Sequence, residues 1–241
     1  MRVQLAPAIV LHRRAWRETS FVVDAFSREH GRVGLIARGA RRAGARWRGL
    51  LEPLAAVRLS WSGRGELFNL SAVEAEQQFA LTGNRLWGAF YAAELTLRLT
   101  AREDPHPEIH ASLLALLQAL AAAAPAVIAL RFFERDLLAA IGYGLALTNE
   151  PDSGRPIRAG ALYAWHPVHG LHVGPATADA IAVPGSALLG LAAGRFTSRR
   201  DIHAARTLLG AVIAQQLDGR PLKTLQTMRA MRQFTPASLP G

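Results

Sequence analysis

The stretch of this chain best suited to chemistry is ARGARRAGARWRG, residues 37–49, which contains five arginines, one tryptophan and no acidic residue. Arginine neutralises phosphates and releases their counterions, and an indole ring offers a face on which any base can stack. We therefore predict a basic arm that contacts DNA or RNA, the alternative being a solvated connection in an arginine-rich proteome. Trp47 suits either base stacking or packing on the protein. The candidate contact residues are Arg32, Arg38, Arg41, Arg42, Arg46, Trp47 and Arg48.

A second candidate is the histidine cluster in HPVHGLH, where His166, His169 and His172 are spaced three apart. Three imidazoles can bind a metal ion. However, Pro167 and Gly170 interrupt any regular geometry, and no carboxylate lies close by in the sequence. We interpret this cluster as a surface turn and expect no metal.

Signatures of catalysis are weak elsewhere in the chain. GRPLKT, residues 219–224, has the Lys-Thr pair of a phosphate-binding loop but lacks the glycine that should precede it. Glu134 and Asp136 fall on different faces of a helix, so they do not form an acid–base pair. No G-x-S-x-G elbow occurs. We therefore expect a binding protein that is not an enzyme and needs no cofactor.

The charge of the chain supports a polyanionic partner. The net charge is +10 and the pI is about 11.4. Residues 1–80 carry a net +6, residues 81–146 a net −1 and residues 147–241 a net +5. Lys223 is the only lysine, and a preference for arginine fits bidentate phosphate contact or a GC-rich genome. The absence of cysteine excludes disulfides, thiol catalysis and zinc sites built from cysteine.

Five short strands are predicted in the first 80 residues. In residues 54–62 the apolar side chains of Val57, Leu59 and Trp61 alternate with polar ones, as expected of a half-buried strand. Five strands without a strong helix indicate a small closed barrel, most economically an OB-fold, with an SH3-like barrel as the alternative. The predicted strands are 3–12, 20–27, 30–39, 54–62 and 63–76.

The pattern then changes to helical periodicity, which predicts an α+β protein of three parts. The helices are predicted at 84–101, 107–123, 126–142, 184–194, 199–219 and 221–234. The parts are a nucleic-acid-binding barrel (1–80), a helical domain (81–146 and 176–241) and an irregular, glycine- and proline-rich insertion with one short hairpin (147–175). No apolar run is long enough to cross a membrane, and the apolar stretch before HRR is too short for a secretory signal. We expect a cytoplasmic protein.

Several longer segments carry a resemblance to a known family. VLHRRAWRETSFVVDAFSREHGRVGLIARGARR, LLEPLAAVRLSW, GRGELFNLSAVE, LRFFERDLLAAIGYGL and AARTLLGAVIAQQLDGRPLKTLQTMR follow one another in the order of the conserved blocks of the bacterial DNA repair protein RecO family. The chain resembles that family over nearly its whole length. The resemblance implies an N-terminal five-stranded OB-fold, a helical domain and a zinc-ribbon-like insertion, here without the four cysteines that many relatives carry.

The resemblance also implies partners and positions. The family binds single- and double-stranded DNA, anneals complementary strands, and acts with RecR to load RecA on DNA coated with single-stranded-DNA-binding protein, which implies association with the nucleoid. Arg38, Arg41 and Arg42 match the family's basic KGAR region. Arg131 stands where the family binds the acidic C-terminal tail of single-stranded-DNA-binding protein, although an ordinary helix-surface arginine is the alternative. Lys223 matches a basic position of uncertain role. An RNA-binding or ribosome-associated basic OB-fold protein remains the competing interpretation.

Overall fold

The computed structural model describes residues 1–42, 44–45, 47, 49–176 and 179–234. Within these residues the chain forms a five-stranded barrel, a three-stranded sheet and six helices, so the predicted α+β class is confirmed. The strands are β1 (Arg2–Trp16), β2 (Ser20–Ser27), β3 (Gly31–Ala37), β4 (Ala56–Ser62), β5 (Phe68–Gln77), β6 (Leu162–His166), β7 (Gly170–Val173) and β8 (Ile181–Pro184). The helices are α1 (Gly83–Leu99), α2 (Pro107–Ala121), α3 (Ala126–Ala140), α4 (Gly185–Ala193), α5 (Arg199–Gln216) and α6 (Lys223–Phe234).

The barrel closes because β1 is long enough to pair on both sides. Its first half pairs with β4 and its second half with β2, both antiparallel. Register shifts after Val3 and after Val10 bend the strand between its two partners, as bulges do in closed sheets. The strand order is β1-β2-β3-β5-β4, with β3 and β5 parallel. This is the predicted OB-fold barrel, so the SH3-like alternative is excluded.

Alternating side chains fill the barrel. Val57, Leu59 and Trp61 of β4 are fully or almost fully buried, and Arg58 is exposed, as the alternation predicts. Ser60 departs from the pattern, because it is buried and its hydroxyl accepts a hydrogen bond from the backbone N–H of Leu5 at 3.0 Å. The ring of His30 meets the indole of Trp61 edge-on, with 5.2 Å between the ring centroids. Burial of these side chains makes the barrel a rigid platform for the connections at its ends.

The chain divides into two compact units. One contains Met1–Ala124 and the chain from Pro221 onwards, and the other contains Pro125–Arg220. The first unit therefore groups the barrel with α1, α2 and α6. The domain boundaries predicted from the sequence separate strands from helices, whereas the two compact units group residues that contact one another. The division into a barrel, a helical domain and an insertion therefore stays a prediction.

Helix α6 is joined to α1 by one carboxylate. Glu94 of α1 accepts hydrogen bonds from the backbone N–H groups of Lys223 and Thr224, both at 2.8 Å, and from the Thr224 hydroxyl at 2.6 Å. A carboxylate at this position satisfies N–H groups that have no partner within the helix and interacts favourably with the helix dipole. Lys223 thus contributes its backbone to the contact between the two helices.

The second unit carries the insertion. Strands β6 and β7 form the predicted hairpin, and β8 pairs with the other side of β6 to complete a three-stranded sheet that was not predicted. Beside the sheet, the carboxylate of Glu150 accepts hydrogen bonds from Ser153, Arg155 and Tyr163. These bonds, led by that from Ser153, lower the pKa of Glu150.

Candidate nucleic-acid interface

The arginine arm, residues 38–49, is the connection that leaves β3 and leads towards β4. Gly39 has a φ of +72°, a backbone conformation that glycine adopts without a steric penalty and that turns the chain out of the strand. The side chains of Arg38, Arg41 and Arg42 are exposed. Arg46 and Arg48 lie outside the described residues. The described part of the arm therefore presents three guanidinium groups to solvent from a rigid barrel.

The arm is fastened to the turn between β1 and β2. The backbone N–H of Arg41 donates to the carbonyl of Thr19 at 2.9 Å, and its guanidinium Nη1 donates to the carbonyl of Arg17 at 3.0 Å. Arg17 is itself exposed. Two connections that are separate in sequence are thus held side by side, which brings Arg17 to the same end of the barrel as Arg38 and Arg42.

Trp47 is half-buried and packs against the hydrophobic core of the barrel. Of the two roles that the sequence left open, the structure shows packing. The ring also lines a cleft of about 470 Å³ together with Arg41 and Arg42. Trp47 therefore anchors the arm on the barrel while remaining in contact with the cleft beside the arginines.

The neighbouring strand β1 contributes basic and aromatic residues that the sequence analysis did not single out. The guanidinium of Arg13 lies 4.8 Å from the Phe21 ring centroid, and that of Arg14 lies 5.2 Å from the Trp16 ring centroid. Both distances suit a cation–π contact. The signal for these residues was present in HRRAWR, residues 12–17, which repeats the arginine–tryptophan pattern of the arm.

Arg32 lies at the opposite end of β3 from the arm. Its side chain is half-buried, and Nε donates to the carbonyl of Thr100 at 3.2 Å. Burial and the nearby charge of Arg102 lower the pKa of Arg32, against the opposing attraction of Asp24. The structure therefore does not bring Arg32 together with the arm. It shows Arg32 joining the barrel to the segment that follows α1.

Arg131 is buried in α3, so the alternative of an ordinary helix-surface arginine is wrong. Its Nη2 lies 2.6 Å from Oε1 of Glu134, one helical turn away, and both side chains are less than a tenth exposed. Within the described residues, Nε of Arg131 has no hydrogen-bond partner. The guanidinium thus already has one carboxylate partner and keeps one donor unused.

The three histidines lie on and beside the β6–β7 hairpin. Nδ1 of His166 accepts hydrogen bonds from the backbone N–H groups of Val168 and His169, at 3.0 Å and 3.3 Å, and the rings of His166 and His169 are stacked. This pattern assigns the ring proton of His166 to Nε2 and leaves no free lone pair for a metal. Among the residues that the structure describes, no group of three or more His, Asp or Glu side chains is arranged to hold a metal ion.

The exposed arginines described in the first unit can therefore bind polyanions. Comparisons with known proteins agree with a nucleic-acid role. Residues 1–79 match the family model described as Recombination protein O N terminal, and residues 80–226 match Recombination protein O C terminal. The chain belongs to the RecO family.

Curated RecO relatives match the chain over nearly its whole length. The DNA repair protein RecO of Alkalilimnicola ehrlichii is 44% identical, over 98% of this chain and 97% of its own. That of Halorhodospira halophila is 43% identical over 94% and 97%, and that of Methylococcus capsulatus is 41% identical over 95% and 94%. RecO membership assigns this protein to DNA repair and recombination. The boundary between the two family models falls between β5 and α1. Separately, no helix among the described residues is long and apolar enough to cross a bilayer.

Proposed function

We propose that this RecO protein is a recombination mediator that binds single- and double-stranded DNA, anneals complementary strands and helps RecR to load RecA. The observation that carries the proposal is the group of exposed arginines at one end of the barrel, namely Arg38, Arg41 and Arg42 of the arm and Arg17 of the neighbouring turn. Each can neutralise a phosphate and release counterions. Such binding would place the protein at the nucleoid.

Annealing on this surface needs charge neutralisation and no covalent step. Two phosphate backbones repel each other as they approach, and a strongly basic face lowers that repulsion. Two strands held on one protein also meet at a high effective concentration. The proposed reaction therefore requires neither a nucleotide nor a metal ion.

Access to DNA coated with single-stranded-DNA-binding protein requires a contact with that protein, and we propose that its acidic C-terminal tail binds near Arg131. The Nε of Arg131 is buried and has no hydrogen-bond partner among the described residues, so a tail carboxylate can reach it only if the side chains that cover it move aside. The tail would have to share the guanidinium with Glu134, whose carboxylate lies 2.6 Å from Nη2. This contact is therefore expected to extend the existing ion pair rather than to replace it.

The deciding experiment measures annealing of two complementary oligonucleotides that carry a fluorophore and a quencher, in EDTA and without ATP. The strands are used naked or precoated with single-stranded-DNA-binding protein. Faster annealing of both kinds of strand supports the proposed mediator. Acceleration of naked strands alone would leave DNA binding in place and reject the tail contact.

The competing RNA-binding function is tested in the same assay with strands of identical sequence made of RNA. A mediator of DNA recombination is expected to anneal coated DNA strands faster than RNA strands of the same sequence. It is also expected to bind a peptide with the acidic tail. Equal or better annealing of RNA, with no binding of the peptide, would reject the mediator in favour of an RNA-binding OB-fold protein.

A further inference from the structure

A cleft lies between the β1–β2 turn and the arginine arm. Its volume is about 510 Å³, within the range of about 300–1,000 Å³ that small-molecule sites occupy. Its lining includes Trp16, Arg17, Arg38, Gly39 and Arg42. The cleft is therefore large enough for one nucleotide and combines an aromatic ring with three cations.

The aromatic wall of the cleft is Trp16, the last residue of β1. Its ring is half-buried, and its position in the strand is fixed by pairing with Ser20 across the turn. The guanidinium of Arg14 lies over the ring at 5.2 Å but does not line the cleft. A ring held in this way is an ordered platform, so little side-chain entropy is lost when a base stacks on it.

The cationic walls come from both sides of the cleft. Arg17 belongs to the turn, whereas Arg38 and Arg42 belong to the arm, and all three are exposed. Among the described residues that line the cleft there is no carboxylate to neutralise them. The hydrogen bonds from Arg41 to Thr19 and Arg17 keep the two sides together. The cleft is thus assembled before any ligand arrives.

We propose that this cleft binds one unpaired nucleotide of single-stranded DNA, with the base stacked on Trp16 and the flanking phosphates on Arg17, Arg38 and Arg42. The inference rests on the proposed DNA-binding function and specifies how this end of the barrel distinguishes single strands from duplex. In a duplex the faces of a base are covered by its neighbours in the stack, so only an unpaired base can reach the indole. Duplex DNA contacts the arginines alone.

The test compares Trp16→Ala and Trp16→Phe with the unchanged protein, by fluorescence anisotropy of labelled oligo-dT and of a duplex of the same length. One base stacked on one aromatic ring is worth about 5- to 150-fold in affinity. Trp16→Ala is expected to lower the affinity for oligo-dT by a factor in this range, to leave duplex affinity within about twofold, and to keep the salt dependence unchanged, because stacking neutralises no phosphate. Trp16→Phe should retain most of the affinity.

Two controls separate stacking from a structural role. Trp87→Ala removes another half-buried indole, which lies in α1 against Phe90, and should not change oligo-dT affinity. An oligonucleotide with abasic sites removes the bases, so it should bind the unchanged protein and Trp16→Ala equally. An equal loss of single-strand and duplex affinity in Trp16→Ala would show that Trp16 orders the turn. An unchanged affinity for oligo-dT would show that no base stacks on Trp16. Either result overturns the inference about the cleft but does not contradict the proposed DNA-binding function. If the unchanged protein bound neither oligo-dT nor the duplex, the proposed DNA-binding function itself would be rejected.

Discussion

Charge reversal of the arm is the most direct perturbation of the proposed interface. Arg38, Arg41 and Arg42 are exposed and lie on one connection of the barrel. If each contacts one phosphate, replacing all three with glutamate should reduce the slope of log K against log salt by about 2 for single strands, at about 0.7 per contact. Between about 50 and 200 mM salt, the unchanged protein should therefore lose roughly 20-fold more affinity than the variant.

The assay is anisotropy of a labelled oligonucleotide at several salt concentrations. The matched control reverses Arg199, Arg200 and Arg206 of α5, which are also exposed and which change the net charge by the same amount. Equal losses in the two variants would show that binding reflects overall charge and not the arm. An unchanged slope in the arm variant would refute the assignment.

Because Arg41 also holds the arm to the turn through the Arg17 carbonyl, a double variant is informative. Arg38→Glu combined with Arg42→Glu leaves that hydrogen bond in place. It should give about two-thirds of the change in slope, since two of three contacts are lost. A full effect from the double variant would mean that Arg41 contacts no phosphate and serves only to position the arm.

Two further predictions concern contacts that hold the helices. Burial opposes ionisation of Glu94, but the hydrogen bonds from Thr224 and Lys223 and the charge of Arg98 outweigh it and lower the pKa of Glu94. The contribution of this contact to stability is therefore fully present above the ordinary carboxylate pKa and is lost as the pH falls through the lowered pKa. Glu94→Gln should cost about 1–2 kcal/mol of unfolding free energy at neutral pH, measured by urea denaturation, and should flatten its acid dependence; an unchanged pH profile would contradict this. Arg131→Ala removes the guanidinium that pairs with the buried carboxylate of Glu134 and should cost about 3–5 kcal/mol, whereas Arg131→Met with Glu134→Leu should recover most of it. A single variant of unchanged stability would show that the ion pair contributes nothing.

The sequence predicts the barrel well because its strands are defined by local alternation. The bounds of β2 agree with the prediction at both ends, and β4 buries the side chains that its pattern predicts. Only the last residue of strand β8 (Ile181–Pro184) fell in a predicted element, the helix at 184–194. Four residues carry too little periodicity to define a strand, and this one exists because it pairs with β6.

The packing faces of the helices were harder to predict than their bounds. The helical spacing in residues 84–101 puts five residues on one face, namely Leu86, Phe90, Ala93, Leu97 and Thr100. Ala93 and Thr100 are buried, whereas the three large apolar residues are only half-buried. The fully buried positions include Ala89 and Ala92, because small side chains let a helix approach its neighbours closely. A search for large apolar residues does not detect such a face.

For the candidate interface, the sequence predicts which residues are basic but not which ones meet. Arg32 and Arg38 are equally plausible in the sequence, and only the fold separates them, since they lie at opposite ends of β3. The turn that follows Trp16 is held to the arm by hydrogen bonds from Arg41 to the carbonyls of Thr19 and Arg17, and these bonds have no sequence signature. Burial of Arg131 depends on the elements around α3, although its spacing from Glu134 was a usable sign of an ion pair.

The contact between Glu94 and α6 can form only late in the synthesis of the protein. The carboxylate and its first partner, Lys223, are 129 residues apart in the chain. At a translation rate of about 5–20 residues per second, roughly 6 to 26 s pass between their appearance. The whole second unit, Pro125–Arg220, is made in that interval. The barrel, α1 and α2 are therefore synthesised before the second unit, and α6, which belongs to the first unit, is synthesised after it.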